Sequence, residues 1–281
     1  MSDVLIQVVG AFFFALAMVW DKYNLRKYQF APKTYTSMMF ICLTVFAGIV
    51  SLFTFDVRLQ SVNAGVWMAF IGVVLFAFLW NKLYYYFQKR EELQDFEVMN
   101  LVVPAVTALL AGLVFAEERH VITLVAVGVA LITLFITRVE THHTKFNAYS
   151  KLIVVMILAM AAEAVLRKVA LTLMDPATLY FLRTLCVTIL LWLFYRPDSL
   201  PRSPDQWRAA AGPAIIGGSA MILMFYGYTQ IGLVMTTLVF ALSPMMVYYL
   251  DALVLRERIH PKNIYATVVI VASIVVAGIY G

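Results

Sequence analysis

The chain has 281 residues, of which 63% are hydrophobic and only 13% are charged. A typical soluble domain is about 45–50% apolar and about 25% charged, so this composition excludes a water-soluble globular enzyme, a disordered chain and a disulfide scaffold. The net charge of +5 does not indicate nucleic-acid binding, because the basic residues stand at the ends of apolar runs, where they act as membrane topology signals.

Ten apolar runs follow one another along the chain. They cover residues 4–20, 34–53, 64–86, 96–116, 121–136, 152–173, 178–195, 209–228, 233–255 and 264–280. A helix that crosses a bilayer needs roughly 20 apolar residues, so we predict an all-α integral membrane protein with ten transmembrane helices. No connection is long enough to hold a folded soluble domain, and function must therefore lie within the helices.

The second half of the chain repeats the first. The matching residues are of rare types, and they are Trp67 with Trp207, Gly72 with Gly212, Tyr86 with Tyr226, Pro104 with Pro244, Glu117 with Glu257 and His120 with His260 at a shift of 140, and, after small shifts, Lys22 with Lys168 and Pro32 with Pro176. We predict that residues 1–140 and 141–281 are two copies of a five-helix unit. An odd number of helices gives the copies opposite orientations, which predicts two inverted repeats around a central cavity.

Each half carries a proline early in its fourth helix and a glutamate 13 residues later, Pro104…Glu117 and Pro244…Glu257. The surrounding strings are VVPAVTALLAGLVFAEERH and ALSPMMVYYLDALVLRERIH; the first helices end in AMVWDKYNL and AVLRKVAL, and the seventh opens with DPATLYFLRTL. Over essentially the whole chain this resembles the EamA-like branch of the drug/metabolite transporter superfamily. The resemblance implies transport of a small solute, since the family moves amino acids, amines, sugars and nucleotide-sugars. Met39 departs from the pattern, because it stands where the family has an arginine.

Charged side chains at membrane depth are the strongest candidates for a solute site, because an unpaired charge there costs several kcal/mol. Glu163 lies near the middle of the sixth run among alanines. The alternative to a site role is an ion pair with Arg167, four residues on. Arg183 lies about two turns inside the seventh helix, where a pair with Glu163 or Asp251 competes with solute contact. We expect Glu163 to face the cavity close to a basic residue.

The predicted solute-binding set includes six further residues, which are Trp20, Lys22, Lys82, Tyr86, Lys168 and Tyr226. For the lysines the alternative is snorkelling of the side chain to the lipid headgroups. For the aromatic residues it is an interfacial belt. Because Tyr86 and Tyr226 occupy equivalent positions in the two halves, we expect them to face each other across the central space.

Glu117 and Glu257 stand among other charged residues at the predicted membrane edge. We expect them to lie outside the cavity and to form ion pairs that close the helix ends, or a gate. If the repeats are inverted, the two glutamates lie at opposite membrane faces.

No enzyme signature and no ATP-binding motif occurs in the sequence, and the pair His142–His143 lacks the further ligands that a metal site needs. We therefore predict a secondary transporter, not an enzyme, that moves a small polar or amphipathic metabolite by alternating access, without ATP or a cofactor. A proton or another ion is the expected coupling partner. One alternative is a flippase for a polyprenyl or glycolipid phosphate, held by Lys22, Lys168 and Arg183; the other is a membrane enzyme without a known motif.

The distribution of Lys and Arg predicts the topology. The odd-numbered connections carry 15 of the 21 basic residues, and the even-numbered connections with both termini carry 4. The positive-inside rule places the odd connections in the cytoplasm and both termini outside, whereas relatives in the family are usually described with cytoplasmic termini. We expect a multi-pass protein of the bacterial inner (cell) membrane, as a monomer or a homodimer.

Overall fold

The computed structural model describes residues 2–57, 63–90, 102–139, 148–195, 203–255 and 261–280. Its α-helices are α1 Ser2–Lys27, α2 Pro32–Thr54, α3 Ala64–Arg90, α4 Val102–Val114, α5 Val121–Val139, α6 Ala148–Ala170, α7 Pro176–Leu190, α8 Pro204–Gln230, α9 Leu233–Phe240, α10 Ser243–Leu255 and α11 Pro261–Tyr280. Five of the described helices, namely α1, α2, α3, α7 with its final π turn, and α8, are long and apolar enough to cross a membrane. The expected all-α membrane fold is confirmed.

Prolines mark the starts of α2, α7, α8 and α11. A proline is tolerated at the first helical position because the N–H that it lacks would have no partner there. The start of α7 is also capped by Asp175, whose side chain accepts hydrogen bonds from the backbone N–H groups of Ala177 and Thr178 at 3.0 and 3.1 Å. These local signals place the helix starts where the apolar runs predict them.

The helix bounds repeat along the chain. Helices α3 and α8 begin and end 140 residues apart, α5 and α11 begin 140 apart, and α4 and α10 begin 141 apart. Helices α1 and α6 begin 146 residues apart, and α2 and α7 begin 144 apart. The boundary between the two copies at residues 140 and 141 lies outside the described residues and stays a prediction.

The contacts between helices come in equivalent pairs. Helix α1 packs on α8, as α6 packs on α3; α1 packs on α10, as α6 packs on α4. Helix α2 contacts α7, and α5 contacts α11, each being its own equivalent in the other half. Exchanging the halves therefore converts the contact pattern into itself, and helices of one half pack mainly on helices of the other.

One close helix contact is built twice. Gly72 of α3 lies against Leu166 of α6, and a Cβ at Gly72 would lie 2.6 Å from Leu166 Cδ1. Gly212 of α8 lies against Trp20 of α1, and a Cβ there would lie 2.9 Å from the Trp20 ring. The glycines are 140 residues apart and their partners 146 apart, so each half uses a glycine at the same place to let another helix approach closely.

The ninth apolar run is broken into two helices. Helix α9 ends at Phe240, and α10 begins at Ser243 after a short turn. Pro244 is the second residue of α10 and has no N–H with which to continue the hydrogen bonds of α9. The Ser243 hydroxyl donates to the Ala11 carbonyl of α1 at 3.2 Å, so another helix covers the polar groups at the break.

Candidate functional site

A cavity of about 210 Å³ lies between the two halves. Helices α1 to α4 and α6 to α10 all contribute to its wall. Most of its lining is apolar or aromatic, including Phe14, Met18, Met39, Phe40, Leu43, Met160, Met221, Met224 and Phe240. Sites for small organic molecules have this composition, with a few polar groups that fix the orientation of the ligand.

A buried ion-pair cluster forms part of the wall. One Glu163 oxygen accepts hydrogen bonds from Nε of Arg183 at 2.6 Å and Nε of Arg167 at 2.9 Å, and the other lies 2.7 Å from Nη2 of Arg167. Trp80 Nε1 also donates to Glu163. Glu163 has no exposed surface, and the two arginines have at most 4%. Two guanidinium groups on one carboxylate leave this cluster with one net positive charge.

Glu163 lies behind the cavity wall. Arg167, Arg183 and Trp80 line the cavity, whereas the carboxylate that holds them does not. The expected pairing of Glu163 with a basic residue is therefore confirmed, and it involves both arginines. Direct contact between Glu163 and a solute stays a prediction.

One nitrogen of the cluster lacks a partner. Nη2 of Arg183 is buried and forms no hydrogen bond within the described residues. The Arg183 guanidinium also lies 5.8 Å from the Trp80 ring centroid and 5.9 Å from that of Tyr180. An unsatisfied buried donor costs about 1–3 kcal/mol, so an anionic oxygen bound at Nη2 would be stabilised.

Asp21 of α1 brings a negative charge to the same cavity. Its carboxylate accepts a hydrogen bond of 2.5 Å from the Tyr35 hydroxyl, and both side chains are buried. No basic side chain of the described residues forms an ion pair with it. Sequence reasoning missed Asp21, although one signal was present: it precedes Lys22 as Arg167 precedes Lys168.

An aromatic wall joins Asp21 to the ion-pair cluster. Tyr35, which donates to Asp21, stacks edge-on against Tyr85 with ring centroids 5.7 Å apart. Tyr85 contacts Tyr84 at 5.1 Å, and Tyr84 contacts Trp80 at 6.0 Å. The acidic and basic groups of the cavity are thus connected by rings in direct contact.

The profile of the EamA-like transporter family matches residues 1–139 and again residues 149–279. The chain belongs to the EamA-like transporter family. The crystal structure of another protein superposes with a TM-score of 0.72 at 16% sequence identity, covering 100% of this chain and 99% of that chain. At that identity the likeness shows the fold alone. No curated protein matches the chain.

Membership in this family of transporters makes the protein a multi-pass membrane protein of the drug/metabolite transporter type. The flippase alternative has no support, because its phosphate-binding residues do not converge. Lys168 is paired with carboxylates outside the cavity, and Arg183 is paired with Glu163. Within the described residues, no group of three or more His, Cys, Asp or Glu side chains could hold a metal ion.

Several predicted site residues of the transporter lie outside the cavity lining. Lys82 is exposed, and Lys22, Tyr86 and Tyr226 are partly buried, but none of the four lines the cavity. Trp20 is 38% exposed and lines a second pocket, between the end of α1 and the start of α8. No observation tests whether these residues contact a solute. His142, His143 and Glu257 lie outside the described residues.

Other tyrosines of the transporter line the cavity instead, and they are Tyr84, Tyr85, Tyr180 and Tyr228. Each residue turns a helix by about 100°, so Tyr86 lies on a different face of α3 from its two neighbours. The expectation that Tyr86 and Tyr226 face each other does not hold for this cavity, because neither lines it. The repeat shows which positions are equivalent, but not which face they occupy.

Lys168 belongs to a second charged group, here called the α9 latch. Glu118 lies buried in the 3-10 turn after α4 and accepts hydrogen bonds from the backbone N–H groups of Leu233 at 2.7 Å and Val234 at 2.9 Å. Lys168 donates to Glu118 and lies 3.3 Å from the Glu117 carboxylate. The latch ties the first half of the transporter to α6 and α9 of the second. The expected ion pair of Glu117 at a helix end is confirmed.

The geometry of the latch needs a glycine before α9. Gly232 has a φ of +85°, and a Cβ there would lie 3.0 Å from Glu118 Oε1. Thr237 and Phe240, further along α9, line the cavity, so the latch adjoins the cavity along this helix. A hydrogen bond from its own backbone N–H, and then Lys168, lower the pKa of the Glu117 carboxyl.

Proposed function

We propose that the protein is a secondary transporter that moves a small amphipathic metabolite with an anionic group by alternating access, without ATP. The observation that carries this proposal is the unpartnered, buried Nη2 of Arg183 in a cavity that both halves enclose. An anionic oxygen would supply the missing acceptor. The apolar wall would cover the rest of the solute.

Glu163 acts in this proposal as a positioning residue. Its carboxylate neutralises one of the two buried guanidinium charges and orients Arg183 through a 2.6 Å hydrogen bond. The remaining positive charge attracts an anion. Without Glu163, two guanidinium groups would lie close together with no anion between them, and their repulsion would disfavour the folded site.

The α9 latch acts as the gate at one end of the cavity. Its counterpart in the other half is the predicted pair of Lys22 with Glu257, the repeat equivalents of Lys168 and Glu117. Rocking of the halves would break one pair as it forms the other, so that the cavity opens to one side at a time. The gradient of the solute, or of a coupling ion, supplies the driving force.

A thermal-stability screen of the purified protein tests the proposal, because a ligand that binds the folded state raises its stability by mass action. The panel pairs apolar carboxylates and phosphates with their neutral amides and esters. We expect stabilisation by anions and not by the neutral partners, followed by uptake of the same anions into proteoliposomes. Stabilisation by the neutral partners alone, or anion stabilisation unchanged in Arg183→Met, would contradict the proposal.

We also propose a bacterial inner-membrane location with both termini outside, supported by the 15 basic residues of the odd connections. Alkaline phosphatase fused to the C-terminus is active only outside the cytoplasm, so an inactive fusion would show the opposite orientation. Monomer or homodimer stays a prediction.

A further inference from the structure

We propose that the Asp21 carboxyl is the site at which this transporter binds its coupling proton. The inference rests on the proposed function, since a coupling proton requires transport. It concerns a residue on the opposite half of the cavity from Arg183, and it assigns the coupling ion, which the family match leaves open.

The contacts of Asp21 suit a group that gains and loses a proton. It lines the cavity, is 5% exposed, and accepts one hydrogen bond, from the uncharged Tyr35 hydroxyl. An ionised carboxylate at membrane depth costs several kcal/mol unless a cation or several donors compensate it. Binding of a proton removes this cost, and its release into an open, water-filled cavity restores the charge.

The groups around Asp21 supply no compensating charge. The ionisable side chains that face it from neighbouring helices are Tyr35 of α2 and Tyr84 and Tyr85 of α3. Helices α9 and α10 face the cavity with uncharged residues, which are Thr237, Phe240, Ala241, Ser243 and Pro244. The charged residues of α1 and α8 at this end are Lys22, Asp205 and Arg208; the last two pair with each other at 3.2 Å.

Glu163 does not suit this role. Two arginines and Trp80 already engage its carboxylate, so a proton there would break a buried ion-pair cluster. Among the described residues, Glu163 and Asp21 are the buried carboxylates in or beside the cavity. The proton site therefore falls on Asp21.

The position of Asp21 explains how a proton could couple to an anion. An ionised Asp21 and a solute anion at Arg183 would occupy one cavity of low dielectric and repel each other. Protonation of Asp21 removes the repulsion, so the solute and the proton bind together. The expected result is symport of the anion with a proton.

Infrared difference spectroscopy of the purified full-length protein tests the site without any solute, because a protonated carboxyl gives a carbonyl band that a carboxylate lacks. Spectra are recorded between about pH 5 and pH 9, where an exposed carboxyl stays ionised. We expect a carbonyl band in the wild type at the acid end that disappears as the pH rises and is lost in Asp21→Asn. The exposed control Asp205→Asn keeps it. Tyr35→Phe keeps the band but shifts its frequency, because the hydrogen bond to the carboxyl is gone.

The outcomes separate the two proposals. A band that persists in Asp21→Asn, or a wild type without a band over the whole range, overturns the proton site even if anions bind at Arg183. A band lost in Asp21→Asn without any anion binding overturns the proposed function instead. If Asp21→Asn does not fold, Asp21→Glu provides the reading: its band must remain and change frequency, and an unchanged band overturns the proposal.

Discussion

Asp21 and Arg167 occupy equivalent positions in the two halves and carry opposite charges. They are 146 residues apart, the shift that also relates Lys22 to Lys168. Both are buried and both line the cavity. The duplicated unit thus presents an acidic group from its first copy and a basic group from its second.

A second equivalent pair strengthens this asymmetry. Met39 and Arg183 are 144 residues apart, the shift between the starts of α2 and α7, and both line the cavity. Met39 is the residue that departs from the family pattern. Its side chain leaves the first half of the cavity without a second cation, so that Asp21 has no basic partner there.

Arg183→Lys should weaken binding of the anionic solute. Lysine keeps the charge and can keep the pair with Glu163, but it lacks the second nitrogen that the guanidinium presents to the cavity. We expect the solute Kd to rise at least about tenfold, since loss of one charge-assisted hydrogen bond corresponds to about 1.5–3 kcal/mol. Calorimetric titration measures the Kd, and an unchanged Kd with an unchanged melting temperature would show that Arg183 is purely structural.

Glu163→Gln should destabilise the fold. It leaves two buried guanidinium groups without their counter-charge, and breaking a buried pair costs about 3–5 kcal/mol. Thermal unfolding in detergent measures the loss. The matched control is Asp205→Asn, which breaks an exposed pair with Arg208 and should cost no more than about 1 kcal/mol. Equal melting temperatures for the two variants would contradict the role given to Glu163.

Lys168→Met should open the α9 latch. In a chain carrying Cys42→Ser and Cys186→Ser, Thr237→Cys reports access to the cavity through its reaction rate with a membrane-impermeant maleimide. Loss of the Lys168 contacts should raise this rate about tenfold, because a charge-assisted hydrogen bond of about 1.5 kcal/mol no longer opposes opening. Arg208→Met, which breaks an exposed ion pair outside the latch, should leave the rate unchanged. A rate that ignores Lys168→Met would exclude the latch as a gate.

The latch should also resist mild acid. The pKa of Glu117 lies below its usual value of 4.5, so its ion pair with Lys168 forms fully above that value and is lost as the pH falls through the lowered pKa. The maleimide rate falls with pH for chemical reasons, so it is compared with that of a free thiol. The normalised wild-type rate should stay constant between about pH 7 and pH 5.5, and a rise within that range would contradict the stated charge of Glu117.

Gly212→Ala should destabilise the fold more than Gly72→Ala. The added methyl would meet the rigid Trp20 ring at 2.9 Å in the first case and the end of the flexible Leu166 side chain at 2.6 Å in the second. Overpacking of this kind costs about 1–3 kcal/mol. Gly128→Ala is the control, because nothing lies within 4 Å of its added methyl, and it should be neutral or stabilising by up to about 1 kcal/mol. A reversed order of melting temperatures would show that the α1–α8 contact adapts more easily.

The helices and the repeat could be predicted from the sequence because both depend on local composition. The runs beginning at 64, 121 and 233 start at the same residues as α3, α5 and α9, and the family match again falls in two halves. The break before Pro244 was foreseen only as a kink, because its depth depends on α1, which accepts the Ser243 hydrogen bond.

The membrane character of the protein, its ten apolar runs and the internal duplication follow from the sequence by itself, because hydropathy and spacing are properties of one strand of chain. The site was decided by the tertiary structure. The rotation of each helix turned Tyr84 and Tyr85, and not Tyr86, to the cavity. Contacts between residues far apart in sequence paired Arg183 with Glu163 and left Asp21 beside Tyr35, and no local pattern encodes which helix faces which.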